Sequence, residues 1–217
     1  MNTDELIGRL AADATPVRPL APPRVRLARW SVTALAVAAL GVVAIGARTD
    51  VLDALGRPLF LWTTILMIVA AALAAEATLV LSIPGVERSP LLRALALAAA
   101  AAWPIALLVA LAGQGDALAR LRGLELHGAC GPLIAGLAVV PAWVLFRMVR
   151  AGAPLRPAWS AGLATLAATA TAATAVQIIC TIDAPAHHVI EHVVPVAILC
   201  AAGAAVARRW MLAPRYV

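Results

Sequence analysis

The chain is poor in charge. Of its 217 residues only 13% are charged, none is a lysine, and aromatic residues make up 4%. A soluble domain of this length covers itself with charged side chains, at roughly a quarter of its residues. The shortage of charge therefore excludes a soluble globular protein.

Long apolar runs take the place of charged segments. The chain is 63% hydrophobic with a mean hydropathy of +0.94, and runs of about 18 residues are long enough to cross a bilayer as helices. They predict an all-α integral membrane bundle of six transmembrane helices. The predicted helices cover residues 29–47, 59–82, 94–113, 127–146, 157–180 and 189–207.

The arginines predict the orientation of the helices. They lie at the ends of apolar runs, where basic residues set topology, so the net charge of +6 does not indicate a nucleic-acid partner. With the N-terminus inside, thirteen arginines are cytoplasmic, while Arg48, Arg57, Arg120 and Arg122 are outside. The positive-inside rule places both termini in the cytoplasm. We expect a cytoplasmic tail at 1–28, a membrane domain at 29–210 and a C-terminal tail at 211–217.

The N-terminal tail has the pattern of a short amphipathic helix, and its polar start is unlike a cleavable signal peptide. Leu6, Ile7 and Leu10 form one apolar stripe, and Pro16 ends the helix. A helix of about ten residues is unstable alone in water, so it either lies on the membrane or folds into a partner's groove. The stripe is small and lacks Trp and Phe, which favours a partner.

Reactive side chains gather between Cys180 and His192, in a stretch that contains one Cys, one Asp, three His and one Glu. The predicted topology places this stretch at the outer face, together with His127 and Cys130 at the start of the fourth helix. Cys130 and Cys180 thus share a depth on the oxidising side. They form a functional pair if their helices are adjacent, or each is a small buried hydrophobe. Cys200 lies deeper and is interpreted as packing.

His188 and His192 are four residues apart, so both rings lie on one helix face. Such a pair can bind Zn or Cu, with a Cys or His from another segment completing the site, or it can sense pH, or it is simply polar at the membrane interface. No third ligand stands at a fixed spacing, so we expect no bound metal or cofactor. No nucleophile with its base and no complete ligand set indicates an enzyme.

Some features leave a second function open. Trp103-Pro104, Pro132 and Pro141 interrupt helices, and such kinks can mark transport pathways. Glu76, the acidic residue well inside an apolar run, is interpreted as reaching the inner boundary. Because no inverted repeat and no file of ionisable residues is present, a small-solute or metal-ion transporter is the alternative.

The tail resembles the start of the NrsF family, the negative regulators of sigma F, and the resemblance extends over the whole chain. The matching tail residues are Asp4, Leu6, Ile7, Leu10, Asp13, Pro16, Val17, Leu20 and Pro23. Later matches are the Ser82-Ile83-Pro84-Gly85 turn, Gly128-x-Cys130, the loop at 152–157, and Cys180 with His192-x-x-Pro195.

The resemblance implies an anti-sigma factor of the bacterial inner membrane. Its cytoplasmic tail would hold an extracytoplasmic-function sigma factor, and we assign that contact to Leu6, Ile7, Leu10 and Asp13. Cys130 and Cys180 match cysteines that respond to stress, including heavy metals and oxidants. With His188 and His192 they are the predicted sensing residues. The expected partners are this sigma factor and the lipid bilayer, with no direct contact to nucleic acid and no small-molecule substrate.

Overall fold

All secondary structure in the described part of the chain is helical. The computed structural model describes residues 2–13, 19–85, 90–117 and 129–210. The helices are α1 (Thr3–Ala12), α2 (Pro23–Ile45), α3 (Val51–Leu55), α4 (Pro58–Leu81), α5 (Pro90–Gly113), α6 (Cys130–Ala151) and α7 (Pro157–Ile179). The last helix, α8, consists of Pro185–His188, a π-helical turn at Val189–Val193, and Val194–Trp210. His127, the tail residues 14–18 and the C-terminal tail 211–217 lie outside the described residues.

Six of these helices are long and apolar enough to cross a membrane: α2, α4, α5, α6, α7 and α8 up to Ala207. Large apolar side chains cover the outside of the bundle, and Val32, Val43, Val139 and Ile198 are all more than half exposed. Such a surface suits hydrocarbon, not water. The predicted all-α fold with six membrane-length helices is confirmed.

The first of the six helices begins at Pro23, earlier than the predicted residue 29. Proline suits the first helical position because its ring presets φ and its missing N–H would have no partner there. Arg26 lies in the first turn of this helix. In the structure Arg26 is buried, and its guanidinium donates to the carbonyl of Met148 and, at 3.5 Å, to Ser82 Oγ. Helix α2 therefore begins within the stretch assigned to the tail.

Helices α4 and α7 form the centre of the bundle. In the 18-residue apolar stretch of each span, 56% of the residues of α4 and 61% of those of α7 are buried, against 17–28% for the other spans. Helix α7 is built largely of Ala and Thr, and four of its threonines donate to carbonyls four residues earlier: Thr165, Thr169, Thr171 and Thr174. Small side chains with internally satisfied hydroxyls let neighbouring helices approach closely.

The bundle has two distinct ends. At the end that we call the tail end, α2 begins while α4 and α6 end, and Arg26 connects all three. At the opposite end, the cysteine end, α2 and α7 end while α6 and α8 begin, and Arg48 donates to the carbonyl of Cys180. The segment after Cys180 and the first turn of α6 therefore lie together, as the predicted topology requires.

Replacing Gly203 with alanine is expected to lower the thermal unfolding midpoint of the detergent-solubilised protein. The added Cβ would collide with Thr165 Oγ1 and lie 3.1 Å from Thr165 Cβ, so α7 and α8 would have to separate. Gly136→Ala on α6 is the matched control, because its Cβ meets nothing within 4 Å. It should be neutral or stabilise by up to about 1 kcal/mol. Equal losses in both variants would contradict the close α7–α8 packing.

Candidate functional site

Two cysteines and two histidines meet at the cysteine end. The ligand atoms of Cys130, Cys180, His187 and His192 all lie within 4.8 Å of one another. His187 Nε2 is 3.4 Å from Cys180 Sγ and 3.7 Å from Cys130 Sγ. Cys130 is half-buried and the other three are buried. We call these four residues the Cys–His cluster; they come from the start of α6, the end of α7 and the first turns of α8.

The position of Cys130 depends on the next residue, Gly131. A Cβ at Gly131 would lie 2.9 Å from Pro195 Cγ and 3.7 Å from the carbonyl oxygen of Glu191. Only glycine allows the backbone of α6 to come this close to α8. The first turn of α6 therefore packs against the turn of α8 that carries His192.

The π-helical turn of α8 brings two histidines to one side. The N–H of Val194 bonds to the carbonyl of Val189, five residues back. Pro195 follows at once and has no N–H to donate to the carbonyl four residues earlier. In an α-helix residues five apart point about 140° away from each other, but a wider turn reduces that angle. The rings of His187 and His192 consequently have centroids 5.8 Å apart.

His192 is the buried side chain that most needs a partner. It has no exposed surface, and neither of its ring nitrogens has a hydrogen-bond partner within the described ranges. A polar group buried in this way costs free energy and is rare in folded proteins. Of the predicted sensing residues, the cluster thus unites Cys130, Cys180 and His192.

His188 lies beside the cluster instead of in it. Its ring centroid is 4.6 Å from that of His192, and its side chain lines a small cavity of about 150 Å³. The other lining residues are Arg57, Leu59, Phe60, Thr63, Leu107, Gln177 and Asp183. Arg57 and Asp183 are partly exposed, so this cavity connects the surface of the cysteine end to His188.

A buried arginine holds the segment that carries Cys180. Arg48 Nη1 donates to the carbonyl of Cys180 at 3.0 Å and to Asp183 at 2.7 Å, and its Nε donates to Asp50 at 2.7 Å. Its backbone N–H bonds to the carbonyl of Ile178 at 2.9 Å. Hydrogen bonds with Asp183 and Asp50 raise the pKa of Arg48. The hydrogen bond that Arg48 donates to Asp50 in turn lowers the pKa of Asp50. The sequence suggested only a topological role for Arg48.

Cys180 follows the last residue of α7, and its thiol is set up to lose a proton. The pKa of Cys180 is lowered, chiefly because Cys130 donates a hydrogen bond to its sulfur, while burial acts in the opposite direction. A thiolate, not a thiol, reacts with oxidants and binds metals. Cys180 is therefore the member of the pair that is chemically suited to either response.

Helix α1 presents its apolar stripe to the outside. Leu6, Ile7 and Leu10 are 41%, 58% and 64% exposed, and no residue of α1 is buried. The Asn2 side chain caps the helix by accepting from the N–H of Glu5 at 2.8 Å. Asp13 forms the other end, where its N–H bonds to the carbonyl of Arg9. All four predicted partner-binding residues are thus at the surface.

Comparison with known proteins identifies the family. The family model described as negative regulator of sigma F, NrsF, matches residues 10–212. The chain belongs to the NrsF family. No curated protein and no solved structure matched the chain significantly. The resemblance stated from the sequence is confirmed, and the protein is a negative regulator of a sigma factor.

Two further reactive residues of this NrsF protein lie away from the cluster. Cys200 is a half-buried residue of α8 that packs against the core formed around Met67 and Trp103. It follows His192 by eight residues, about 12 Å of helix. Glu76 is exposed on the surface of α4. Neither belongs to the site at the cysteine end.

Replacing Arg48 with methionine is expected to loosen the segment from Cys180 to Asp183, because the buried donors to both residues are lost. Labelling of Cys180 by a membrane-impermeant maleimide, resolved by peptide mass spectrometry, should become several-fold faster. Arg57→Met is the matched control. Arg57 contacts the same carboxylates, at 2.9 Å, but is 46% exposed, and exposed ion pairs contribute little. Labelling that is accelerated equally in both variants would refute the special role of Arg48.

Proposed function

We propose that this NrsF protein is an anti-sigma factor of the bacterial inner membrane. It holds an extracytoplasmic-function sigma factor through α1 and releases it when a stress signal acts on the cysteine end. The family match over residues 10–212 carries this proposal. The exposed stripe of α1 and the Cys–His cluster supply a partner-binding element and a sensing element.

The stripe of α1 has the size expected for binding a partner. Burying a Leu or Ile side chain is worth about 1.5–3 kcal/mol, and α1 offers three that are now exposed: Leu6, Ile7 and Leu10. Ordering a short segment on binding costs about 2–5 kcal/mol. Three buried side chains offset that cost, so the tail suits a groove of another protein.

The arginine distribution supports a division between the two sides of the membrane. Thirteen of the seventeen arginines fall on the side of the tail end in the predicted topology. This supports a cytoplasmic position for α1, on the side where sigma factors act, and a position of the Cys–His cluster at the oxidising outer face. A signal received at the Cys–His cluster must then be transmitted through the helix bundle to α1 on the other side of the membrane.

Helices α2 and α6 provide that connection. Helix α2 follows the tail, and it is bonded to α6 at two levels. Trp30 Nε1 donates to the carbonyl of Pro141 at 3.0 Å, and Arg26 donates to the carbonyl of Met148. The first residue of α6 is Cys130. A displacement of α6 by chemistry at Cys130 therefore acts on the helix that positions the tail.

Changing both Leu6 and Leu10 to aspartate is expected to release the sigma factor while the protein still inserts in the membrane. The reason is that two charged side chains replace the apolar stripe. Co-purification of a sigma factor with the tagged protein measures the effect, and a loss of at least tenfold is expected. Gly8→Asp is the control, because it adds one aspartate on the opposite face of α1, where nothing lies within 4 Å.

The same pull-down also decides between function classes. A sigma factor that remains bound to the doubly substituted protein would overturn the assignment of α1 as the binding element. A wild-type protein that brings no sigma factor with it would instead favour the transporter interpretation.

Replacing Trp30 with phenylalanine is expected to weaken the response to a stress signal without abolishing sigma binding. The ring stays apolar, but the hydrogen bond to α6 is lost. Reporter induction by Cd²⁺ or hydrogen peroxide should fall several-fold. Trp103→Phe is the matched control, since Trp103 is equally buried and its Nε1 has no partner in the described structure. Equal effects would point to lost volume instead of a lost hydrogen bond.

A further inference from the structure

We propose that Cys130, Cys180, His187 and His192 bind a single zinc-class divalent cation, Zn²⁺ or the softer Cd²⁺, in a tetrahedral Cys₂His₂ site. The sequence led us to expect no metal, because the visible histidine pair was His188 and His192. In the structure the histidine beside His192 in the cluster is His187 and not His188, and the thiols of Cys130 and Cys180 complete the group. This gives the complete ligand set that the sequence lacked.

The distances within the cluster agree with coordination. Bonds of about 2.3 Å to sulfur and about 2.0–2.1 Å to nitrogen place neighbouring S and N ligands about 3.6 Å apart in a tetrahedron. The two measured S–N separations, from His187 Nε2 to Cys180 and to Cys130, are 3.4 and 3.7 Å. The whole set lies within 4.8 Å. Only a small contraction is needed to bind an ion.

The unpartnered imidazole of His192 points to the same conclusion. Its ring is fully buried, yet neither nitrogen is bonded to another described residue. Coordination would give one of these nitrogens a strong partner and thereby remove part of the burial cost. Two thiolates also balance the charge of a divalent cation, which favours binding in an apolar surrounding.

The donor types select the class of cation. Thiolate and imidazole ligands favour Zn²⁺ and softer ions, whereas Mg²⁺ and Ca²⁺ prefer oxygen. An entry path is also present, because the cavity of about 150 Å³ reaches His188, whose ring is 4.6 Å from His192. His188 borders this path but is not one of the four ligands, and replacing it with a smaller side chain would leave the path open.

A cation at this position would join the end of α7, the first residue of α6 and the π-helical turn of α8. Loading of the site would then be one signal that acts on α6, and this regulatory part rests on the proposed function. Binding of the cation does not rest on it. The two are therefore tested separately.

The experiment measures zinc in the full-length protein, purified in detergent under reducing conditions with a tag that contains no histidine. After equilibration with Zn²⁺ and gel filtration, elemental analysis should find one zinc per chain. Cys130→Ser, Cys180→Ser, His187→Ala and His192→Ala should each weaken zinc affinity at least tenfold. Cys200→Ser and His188→Ala are the matched controls, and both should retain zinc.

A rescue variant separates coordination from folding. Cysteine is also a zinc ligand, so His187→Cys should restore the zinc that His187→Ala loses. Cd²⁺ gives a second readout, because thiolate coordination produces an ultraviolet charge-transfer band that should weaken when either Cys130 or Cys180 becomes serine.

Three results would overturn the site. The first is a wild-type protein with free thiols that binds no zinc, including after reduction of any Cys130–Cys180 disulfide. The others are zinc retained after loss of His187 or His192, and His188→Ala losing zinc as the ligand variants do. Zinc binding together with failure of the sigma pull-down would leave the site intact and refute only the proposed function.

Discussion

The contact between Gly131 and Pro195 determines the geometry of the cysteine end. A side chain at Gly131 would begin 2.9 Å from Pro195 Cγ, so any larger residue would hold α6 away from α8. Cys130, the neighbour of Gly131, would then lose its 3.7 Å approach to His187. Pro195 also lacks the N–H that an α-helical turn would use, and the π-helical turn precedes it. One pair of residues thus governs both which histidines face α6 and how near the thiols come.

Polar groups at the cysteine end fall into two sets. The donors of Arg48 all find acceptors, in Asp50, Asp183 and the carbonyl of Cys180, so this network fixes the segment after α7. Deeper in the bundle, Gln177 Oε1 and both nitrogens of His192 are buried without partners among the described residues. A segment fixed by a satisfied hydrogen-bond network, next to buried polar atoms that lack partners, is the arrangement expected of a binding site. The unsatisfied groups lie where an ion or an incoming ligand would replace the missing partners.

Hydropathy was sufficient to predict the class of the protein. Six apolar runs became six membrane-length helices, and counting residues along them placed Cys130 and Cys180 at one depth. The start of α2 was missed because Arg26 is satisfied by a carbonyl of another helix, a contact invisible in sequence. His187 was missed because residues five apart, such as His187 and His192, do not lie on one face of an α-helix. Only the π-helical turn between them brings the two side chains to the same side.

The magnitudes involved make coupling between the two ends of the bundle physically reasonable. A tenfold change in sigma affinity requires only about 1.4 kcal/mol. A single hydrogen bond between membrane helices contributes about 0.6–2 kcal/mol, and α2 makes two such bonds to α6 through Trp30 and Arg26. Helix α6 contains 22 residues and therefore spans about 33 Å, from Cys130 to the carbonyls near the tail end. Helix α1 is too short to be stable alone, so it folds only when it binds. A free-energy change of about 1–2 kcal/mol is then enough to shift its binding equilibrium. Under the proposed function, release of a partner would thus need only a shift of α6 against α2, and no unfolding of the bundle.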